Sequence, residues 1–590
     1  MNILLTAINA KYIHSNLAVY SLRACAGEYR DAVELAEYTI NNQKDYILEE
    51  LYKRKPDVLC FSCYIWNIDY VTDIAREYKK LCPSVPIWVG GPEVSYEVEA
   101  FLRENPYIDG VMIGEGEDTF RELCGYYAHK RKLSDIAGIA FRKHSTGNST
   151  SVNNIGGNKA GEIVFTSPRP IKNMSEIPFC YDTLDDFSNR IIYYESSRGC
   201  PFSCSYCLSS VDKTLRFRDT EIVKRELKFF IDQKVPQIKF VDRTFNCNHA
   251  HAMELWRFIK ANDNGVTNFH FEISADLLNQ EELELISDMR PGLIQLEIGV
   301  QSTNEVTIKE IHRTMKLERL KEVVRLIQSG NNIHEHLDLI AGLPYEDYDS
   351  FGRSFDEIYE LKPNQLQLGF LKVLKGSYMF EHATEYGIVY HDKPPYEVMS
   401  TKWLSFDDVI KIKRVEEMLE VYYNSGQFEI TMKLMECIFD SAFEFFQELG
   451  DFYEANGYFG MSHSRIRRCE ILLEFLALYL HGCDNDAMTS VVLSENAGDR
   501  DNTDFDENAI DRDNTDFDEN AQIYSMIQES LIFDLYYREN CKSRPRWATD
   551  IGSFKHMTHA YCKNGKLSHV EPFHYIFPDK HTRKPVSYTH

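Results

Sequence analysis

The chain has 590 residues, too many for one hydrophobic core, and at about 100–200 residues per domain it calls for several folding units. Apolar residues make up 43% and charged residues 26%, the balance of a folded chain, and no apolar run reaches the roughly 18 residues of a membrane span. Sixty-five Lys and Arg against 91 Asp and Glu leave a net charge of −26; a large nucleic-acid footprint needs a positive surface to displace phosphate counterions, so such a partner is disfavoured.

The start, Met1 to Ile8, lacks a basic flank and a long apolar stretch, so it reads as a first strand and not as a signal peptide. Fifteen cysteines without an export signal point to reduced thiols and a cytoplasmic chain. Strands are predicted at Ile3–Ile8, Val33–Tyr38, Val58–Cys63, Ile87–Gly90 and Gly110–Ile113. Helices are predicted between them, at Leu17–Glu28, Lys44–Lys53, Val71–Leu81 and Thr119–His129. This alternation predicts a doubly wound parallel sheet over residues 1–145. Asn148–Lys159, rich in Ser, Asn and Gly, reads as a loop or hairpin in a linker over 146–189.

A second alternating series has strands at Ile191–Ser196, Gln237–Val241, Asn268–Ile273, Leu293–Gly299, His334–Ile340 and Gln365–Leu371. Helices fit the gaps at Glu221–Gln233, His249–Ala261, Glu281–Asp288, Asn304–Ile311, Leu317–Ser329 and Ser350–Leu361. Six repeats over 190–375 predict a parallel barrel or part-barrel, whose site belongs at the C-terminal strand ends. Residues 376–590 read as mostly helical, with helices at Phe406–Tyr423, Ile430–Leu449 and Arg465–Tyr479. Within them Asp499–Ala509 recurs identically as Asp511–Ala521, ten acids against two arginines. The loop glycine and terminal glutamate of a calcium-binding EF-hand are missing, so 495–522 reads as a solvated, disordered insertion.

The strongest chemical signal directly follows the first barrel strand: Ser196-Ser197-Arg198-Gly199-Cys200-Pro201-Phe202-Ser203-Cys204-Ser205-Tyr206-Cys207. Three thiolates at this spacing can hold three corners of a cubane cluster from one loop and leave the fourth iron open to a small molecule. A zinc site wants four ligands, usually in two separated pairs. These residues resemble the radical S-adenosylmethionine (SAM) superfamily, and the resemblance extends through 190–375. It implies a four-iron four-sulfur cluster on Cys200, Cys204 and Cys207, with the open iron binding SAM. It also implies SAM contacts from Tyr206 and from the later strand ends: Asp242 and Arg243, Glu272 and Ser274, Glu297 and Gln301, and Gly342.

Residues 1–145 are similar to the cobalamin-binding domain that precedes many radical SAM proteins. The residues that carry the likeness are Ser62, then Gly90-Gly91-Pro92-Glu93, then Gly114-Glu115-Gly116-Glu117. The resemblance implies that Ser62, Gly90, Gly91, Glu93, Gly114, Glu115 and Gly116 approach cobalamin at the strand ends, where glycines admit a bulky ligand. The bland alternative is a docking domain that binds nothing. Mutase-type domains carry Asp-x-His-x-x-Gly after the first strand; here Tyr12 and Leu17 replace the Asp and the Gly around His14. Without the carboxylate that orients the ring, His14 reads as a surface or substrate-facing residue more readily than as a cobalt ligand. Cys60 and Cys63 lie in an apolar strand and point to opposite faces, so a structural role is expected.

The order of these regions resembles the cobalamin-binding radical SAM class, especially members with a DUF4080-type C-terminal region. The resemblance implies a cobalamin-dependent enzyme that methylates an unactivated carbon of a small-molecule or peptide substrate, with electrons from a flavodoxin- or ferredoxin-type donor. Three other readings stay open: a ring-forming oxidative enzyme, a tRNA methylthiotransferase, and a non-catalytic cobalamin sensor. The acidic tail, and an N-terminal cysteine set that does not match, argue against the methylthiotransferase. The intact cysteine triplet argues against the sensor.

Overall fold

The computed structural model describes residues 1–143, 161–187, 189–211, 213–481, 514–538 and 544–548, and the chain divides into two compact units, Met1–Val409 and Ile410–His590. The first unit opens with strands β1 (Ile3–Asn9), β2 (Val33–Thr39), β3 (Val58–Ser62), β4 (Ile87–Gly90) and β5 (Gly110–Met112), all parallel. The sheet order is β2-β1-β3-β4-β5, extended by an antiparallel pair, β6 (Ile139–Arg142) and β7 (Ile163–Phe165). Helices α1 (Leu17–Cys25), α2 (Lys44–Arg54), α3 (Ile68–Leu81), α4 (Val98–Glu104) and α5 (Glu117–Tyr127) alternate with the strands. Every residue of β1 and β3 is buried, as a parallel strand covered on both faces requires. The sequence does not show α4, because seven residues are too few for a readable helical period. Asn148–Lys159 lies outside the described residues. Cys60 and Cys63 are buried free thiols, and burial pushes both well up, so neither behaves as a reactive pair.

The remainder of the unit is a curled parallel sheet. Strand β8 (Ile192–Tyr194) leads into a short antiparallel pair, β9 (Ser197–Arg198) and β10 (Arg216–Phe217). Then come α6 (Thr220–Asp232), β11 (Gln237–Phe240), α7 (His249–Ala261), β12 (Asn268–Ile273), α8 (Gln280–Ser287) and β13 (Ile294–Gln301). Two helices, α9 (Glu305–Glu310) and α10 (Leu317–Gly330), precede β14 (His334–Ala341), followed by α11 (Tyr348–Tyr359) and β15 (Gln365–Phe370). The strand order β8-β11-β12-β13-β14-β15 is sequential and leaves β8 and β15 as edges, so this is a part-barrel. Asp219, Asn248, Asn279, Asn304 and Asp347 cap α6, α7, α8, α9 and α11, which fixes where each helix leaves its strand-end loop.

The two faces of the curled sheet differ sharply. Ile238, Phe240, Phe269, Phe271, Leu296, Ile298, Leu337 and Leu339 form the buried outer face under the helices. The inner face carries Lys239 beside His270, Glu272 beside Glu297, Glu297 beside His336, and Gly299 beside Asp338. Closed barrels fill that space with branched apolar layers. Here it is lined for a polar ligand.

A short helix α12 (Tyr378–Glu381) and the hairpin β16 (Val389–Tyr390) and β17 (Val398–Ser400) follow the barrel. Helix α13 (Phe406–Leu419) continues into a π-helical turn over Glu420–Asn424. The second unit holds α14 (Glu429–Ile438), α15 (Ala442–Ala455), α16 (Arg465–His481) and α17 (Asn514–Arg538). The single helix expected over Ile430–Leu449 is broken, because Ser441 caps a new helix by accepting from Glu444 N. Asp534 of α17 accepts from the backbone N–H groups of Ile430 and Thr431 and so caps α14 from across the unit. The first acidic repeat lies outside the described residues. Asn514–Ala521 of the second belongs to α17, which corrects the expected extent of the disordered insertion. No helix among the described residues is long and apolar enough to cross a membrane.

Candidate functional site

The cysteine loop is built by local backbone constraints. Gly199 has φ +88°, and a Cβ there would lie 2.5 Å from the Thr214 carbonyl oxygen, so the chain turns from β9 into the loop only as glycine. Beyond it the loop is held from two sides: Ser205 N donates to Ile311 O at 2.9 Å, and Met379 N donates to Ser205 O at 3.0 Å. Cys200 and Cys204 are buried and Cys207 half-buried. Burial pushes the Cys200 thiol up, offset by the Phe202 N–H and by the Thr244 hydroxyl 3.8 Å away, and the charges of Cys207 and Cys204 act on it directly.

Arg313, in the turn between α9 and α10, reaches into this loop. Its Nη1 lies 3.2 Å from the Tyr206 hydroxyl and 3.8 Å from Cys204 Sγ, its Nη2 donates to Gly299 O, and its Nε is buried without a partner. Sequence reasoning missed it. The signal available was a lone arginine in Ile311-His312-Arg313-Thr314, outside any strand end.

The strand-end residues separate into two groups. Asp242 is buried and accepts from Ser196 N at 2.9 Å, Ser196 Oγ at 2.6 Å and Ser197 Oγ at 2.6 Å. Burial raises its carboxyl to about 6 against those bonds. Its oxygens are occupied in joining the segment after β8 to the end of β11. Ser274 is similarly engaged: its Oγ donates to Asp276 at 2.7 Å while Asn246 brackets its backbone. Glu297 lies mid-strand and pairs with Lys239 at 2.8 Å and His270 at 2.9 Å; despite burial, these partners hold it down at about 2. All three therefore already have protein partners in this fold. A polar side chain at a strand end finds a protein partner whenever a neighbouring strand supplies one.

The other group stays open. Burial raises Glu272, with Arg243 opposing the shift, and Arg243 itself is exposed on the cavity wall. Gln301 has φ +75° at a bulge in β13, and its Oε1 is buried without a hydrogen-bond partner. Asp338 Oδ1 also lacks one, with His336 Nε2 at 3.2 Å in poor geometry. Burial and the charges of Glu297 and Glu272 hold Asp338 well above the usual carboxylate range. Gly342, at φ +88°, packs against Val398, where a Cβ would come within 2.7 Å. Tyr206, which meets Arg313, completes the expected set.

Between the cysteine loop and the carboxyl ends of the first sheet lies a cavity of about 780 Å³. Ser62, Gly90, Gly91, Gly114, Glu115 and Gly116 line it, and so do His14 and, from the barrel side, Arg198, Gly199 and Arg243. Gly114 has open space around it. At Gly91 a Cβ would sit 2.3 Å from the Cys63 carbonyl oxygen, and at Gly116 one would sit 2.9 Å from Leu22 Cδ2. Gly91 is therefore required by packing and by its φ of +123°, whereas at Gly116 the clash is with the movable end of Leu22, and both glycines line the cavity. Glu93 accepts from the Tyr396 hydroxyl, and Glu115 pairs with Arg216 at 2.6 Å. His14 Nδ1 lies 2.7 Å from the Tyr193 hydroxyl, so its ring faces the first barrel strand. Tyr64 and Trp66, stacked at 4.4 Å, add a flat aromatic wall that the sequence reading did not single out.

Three family models match along the chain: a B12 binding domain at residues 3–124, the radical SAM superfamily at 194–358, and a protein family of unknown function, DUF4080, at 384–586. The chain is a radical SAM protein with a B12-binding domain. Among curated relatives of this radical SAM protein is the cobalamin-dependent radical SAM methyltransferase TokK of Streptomyces tokunonensis. It is 27% identical over 360 residues, 57% of this chain and 49% of TokK. The chain thus spans about half the length of the first curated relatives it matches. Among solved structures, the cobalamin-dependent SAM radical enzyme OxsB with aqua-cobalamin bound superposes with a TM-score of 0.56 at 15% identity, covering 91% of this chain and 81% of OxsB. The radical SAM methyltransferase TsrM of Kitasatospora setae, with cobalamin and a four-iron four-sulfur cluster bound, gives 0.52 at 17% identity over 67% of this chain and 82% of TsrM. These likenesses establish the fold of a sheet domain followed by a part-barrel.

Proposed function

We propose that this chain is a radical SAM enzyme that holds a four-iron four-sulfur cluster on Cys200, Cys204 and Cys207 and uses cobalamin to methylate an unactivated carbon of its substrate. The observation that supports this reading best is spatial. Arg198 and Gly199, which lead into the cysteine loop, and the glycine-bearing loops of the B12-binding domain line one cavity.

The donor sets fit these groups. Among the described residues no three His, Cys, Asp or Glu side chains are gathered at the spacing of a single ion. A cubane instead spreads its thiolates over separate corners. For SAM, Arg313 beside Cys204 suits the methionine carboxylate and Glu272 the amino group. The partnerless oxygens of Gln301 and Asp338 suit ribose hydroxyls, and the backbone at Gly342 suits adenine. When bound, the cluster with SAM would supply radical hydrogen abstraction and cobalamin would supply a transferable methyl group. The chain's own residues orient these groups and exclude water: Arg313 fixes the cysteine loop, and Tyr64 and Trp66 wall the cavity. The polar inner face of the barrel would hold a small-molecule or peptide substrate. A flavodoxin- or ferredoxin-type protein is the proposed reductant, and the cytoplasm the proposed location.

The test is an absorbance spectrum of full-length protein purified without oxygen, reconstituted with iron, sulfide and hydroxocobalamin, and desalted. Retention of cluster and cobalamin together, with release of 5′-deoxyadenosine from SAM, is expected. A cluster without cobalamin would reduce the first domain to a docking scaffold and end the methylation reading.

A further inference from the structure

The charged groups between the B12-binding domain and the cysteine loop form one continuous link, half-buried except for the buried Glu117. Arg198 stands two residues before Cys200 on β9. Its Nε lies 2.9 Å from both carboxylate oxygens of Glu195, its Nη2 donates to Glu117, and its Nη1 is 3.6 Å from Glu115. Glu117 is the first residue of α5 and only 5% exposed. The paired strand adds Arg216, which donates to Glu115 at 2.6 Å and to Lys172 O at 3.0 Å. Lys172 Nζ in turn reaches Asp118 at 2.9 Å. The segment after β5 is therefore held at Glu115 and Glu117 by the β9–β10 pair that leads into the first cysteine, and at Asp118 by Lys172 of the linker.

Resting on the proposed cofactors, we infer that Arg198 is a positioning residue that couples the two halves of the site, so that cobalamin seated against Gly114–Glu117 secures the iron–sulfur cluster. Three features make this link a coupler and not simply surface glue. Its central pair joins the half-buried Arg198 to the buried Glu117, where an ion pair is screened less than at the open surface. It joins backbone that lines the cavity on both sides, since Glu115, Gly116 and Glu117 face Arg198 and Gly199 across it. Only Gly199, packed against the Thr214 carbonyl of the strand pair, separates Arg198 from Cys200. Coupling between two bound groups is reciprocal, so a tighter α5 loop means a better-held cluster.

The test uses full-length protein loaded with cluster, with and without hydroxocobalamin, challenged anaerobically with an iron chelator while the violet absorbance of the cluster is followed. In the unaltered chain cobalamin should slow cluster loss by at least about fivefold, the lower end of ordinary coupling. Glu117→Leu removes the link without touching the cysteine loop, and Arg198→Met removes it from the other side. In each the protection should fall to about onefold although both cofactors load. Glu117→Gln keeps an acceptor for Nη2 and should restore protection. Equal protection in the unaltered chain and in either disrupting variant, even with a lowered melting temperature, overturns the inference and leaves Arg198 a structural residue. So does an unaltered chain that gains no protection while retaining cobalamin. Failure of that chain to retain cobalamin at all sinks the proposed cofactor itself, and the coupling with it.

Discussion

Glu335 is the least comfortable residue of the barrel. It sits on the outer face of β14 at 0% exposure, and neither carboxylate oxygen has a hydrogen-bond partner. Burial pushes its carboxyl up from 4.5 to about 8, with only the nearby Gln328 amide opposing. The folded state therefore keeps a proton that the unfolded chain releases. Stability is greatest below the unfolded value of 4.5 and falls as pH rises through about 8. At about 1.4 kcal/mol per unit, this window is worth roughly 4 kcal/mol at its upper end. Glu335→Gln has nearly the same shape, loses no bond and cannot ionise. It should match the unaltered protein within about 1 kcal/mol at pH 5 and exceed it by roughly 3–4 kcal/mol at pH 8. At about 2 °C per kcal/mol for a unit of this size, thermal unfolding of the full chain should show a gap of roughly 6–8 °C at pH 8 that closes at pH 5. A gap that is the same at both pH values would refute the reasoning, because it would show that Glu335 titrates alike in the folded and unfolded chain.

Other substitutions separate the parts of the site. Cys204→Ala should abolish the iron–sulfur absorbance and all SAM cleavage; retention of both would end the radical SAM reading. Arg313→Lys keeps the charge but loses the planar fork, so the KM for SAM should rise by about ten- to a hundredfold, matching the ~1.5–3 kcal/mol of a charged hydrogen bond, at unchanged iron content. An unchanged KM in the 5′-deoxyadenosine assay would remove Arg313 from the carboxylate contacts. Gly91→Ala places a Cβ 2.3 Å from the Cys63 carbonyl oxygen at a backbone φ of +123°. Cobalamin per chain after desalting should fall at least about tenfold with iron retained, and full cobalamin content would show that β4 ends more loosely than described.

The sequence by itself determined the alternation of strands and helices, the cysteine loop and the order of the three regions. These are local signals: apolar periodicity writes each element within its own window, and Cys200, Cys204 and Cys207 sit within eight residues. It did not show α4, which is too short for a period, or the break at Phe439–Ser441, which a capping serine makes inside an apolar run. The occupancy of side chains was equally out of reach. Asp242, Glu93 and Glu115 stand at or near strand ends, as ligand contacts do, and Glu297 lies mid-strand on the inner face of the barrel. Each turns instead to a partner between 45 and 303 residues away in the chain: Ser197, Tyr396, Arg216 and Lys239. Arg313 runs the other way, an ordinary turn residue in sequence that the curl of the sheet carries onto Cys204. Tertiary structure decided these roles because a carboxylate or guanidinium takes whichever opposite charge or hydrogen-bond partner the fold delivers, and no local spacing records which that is.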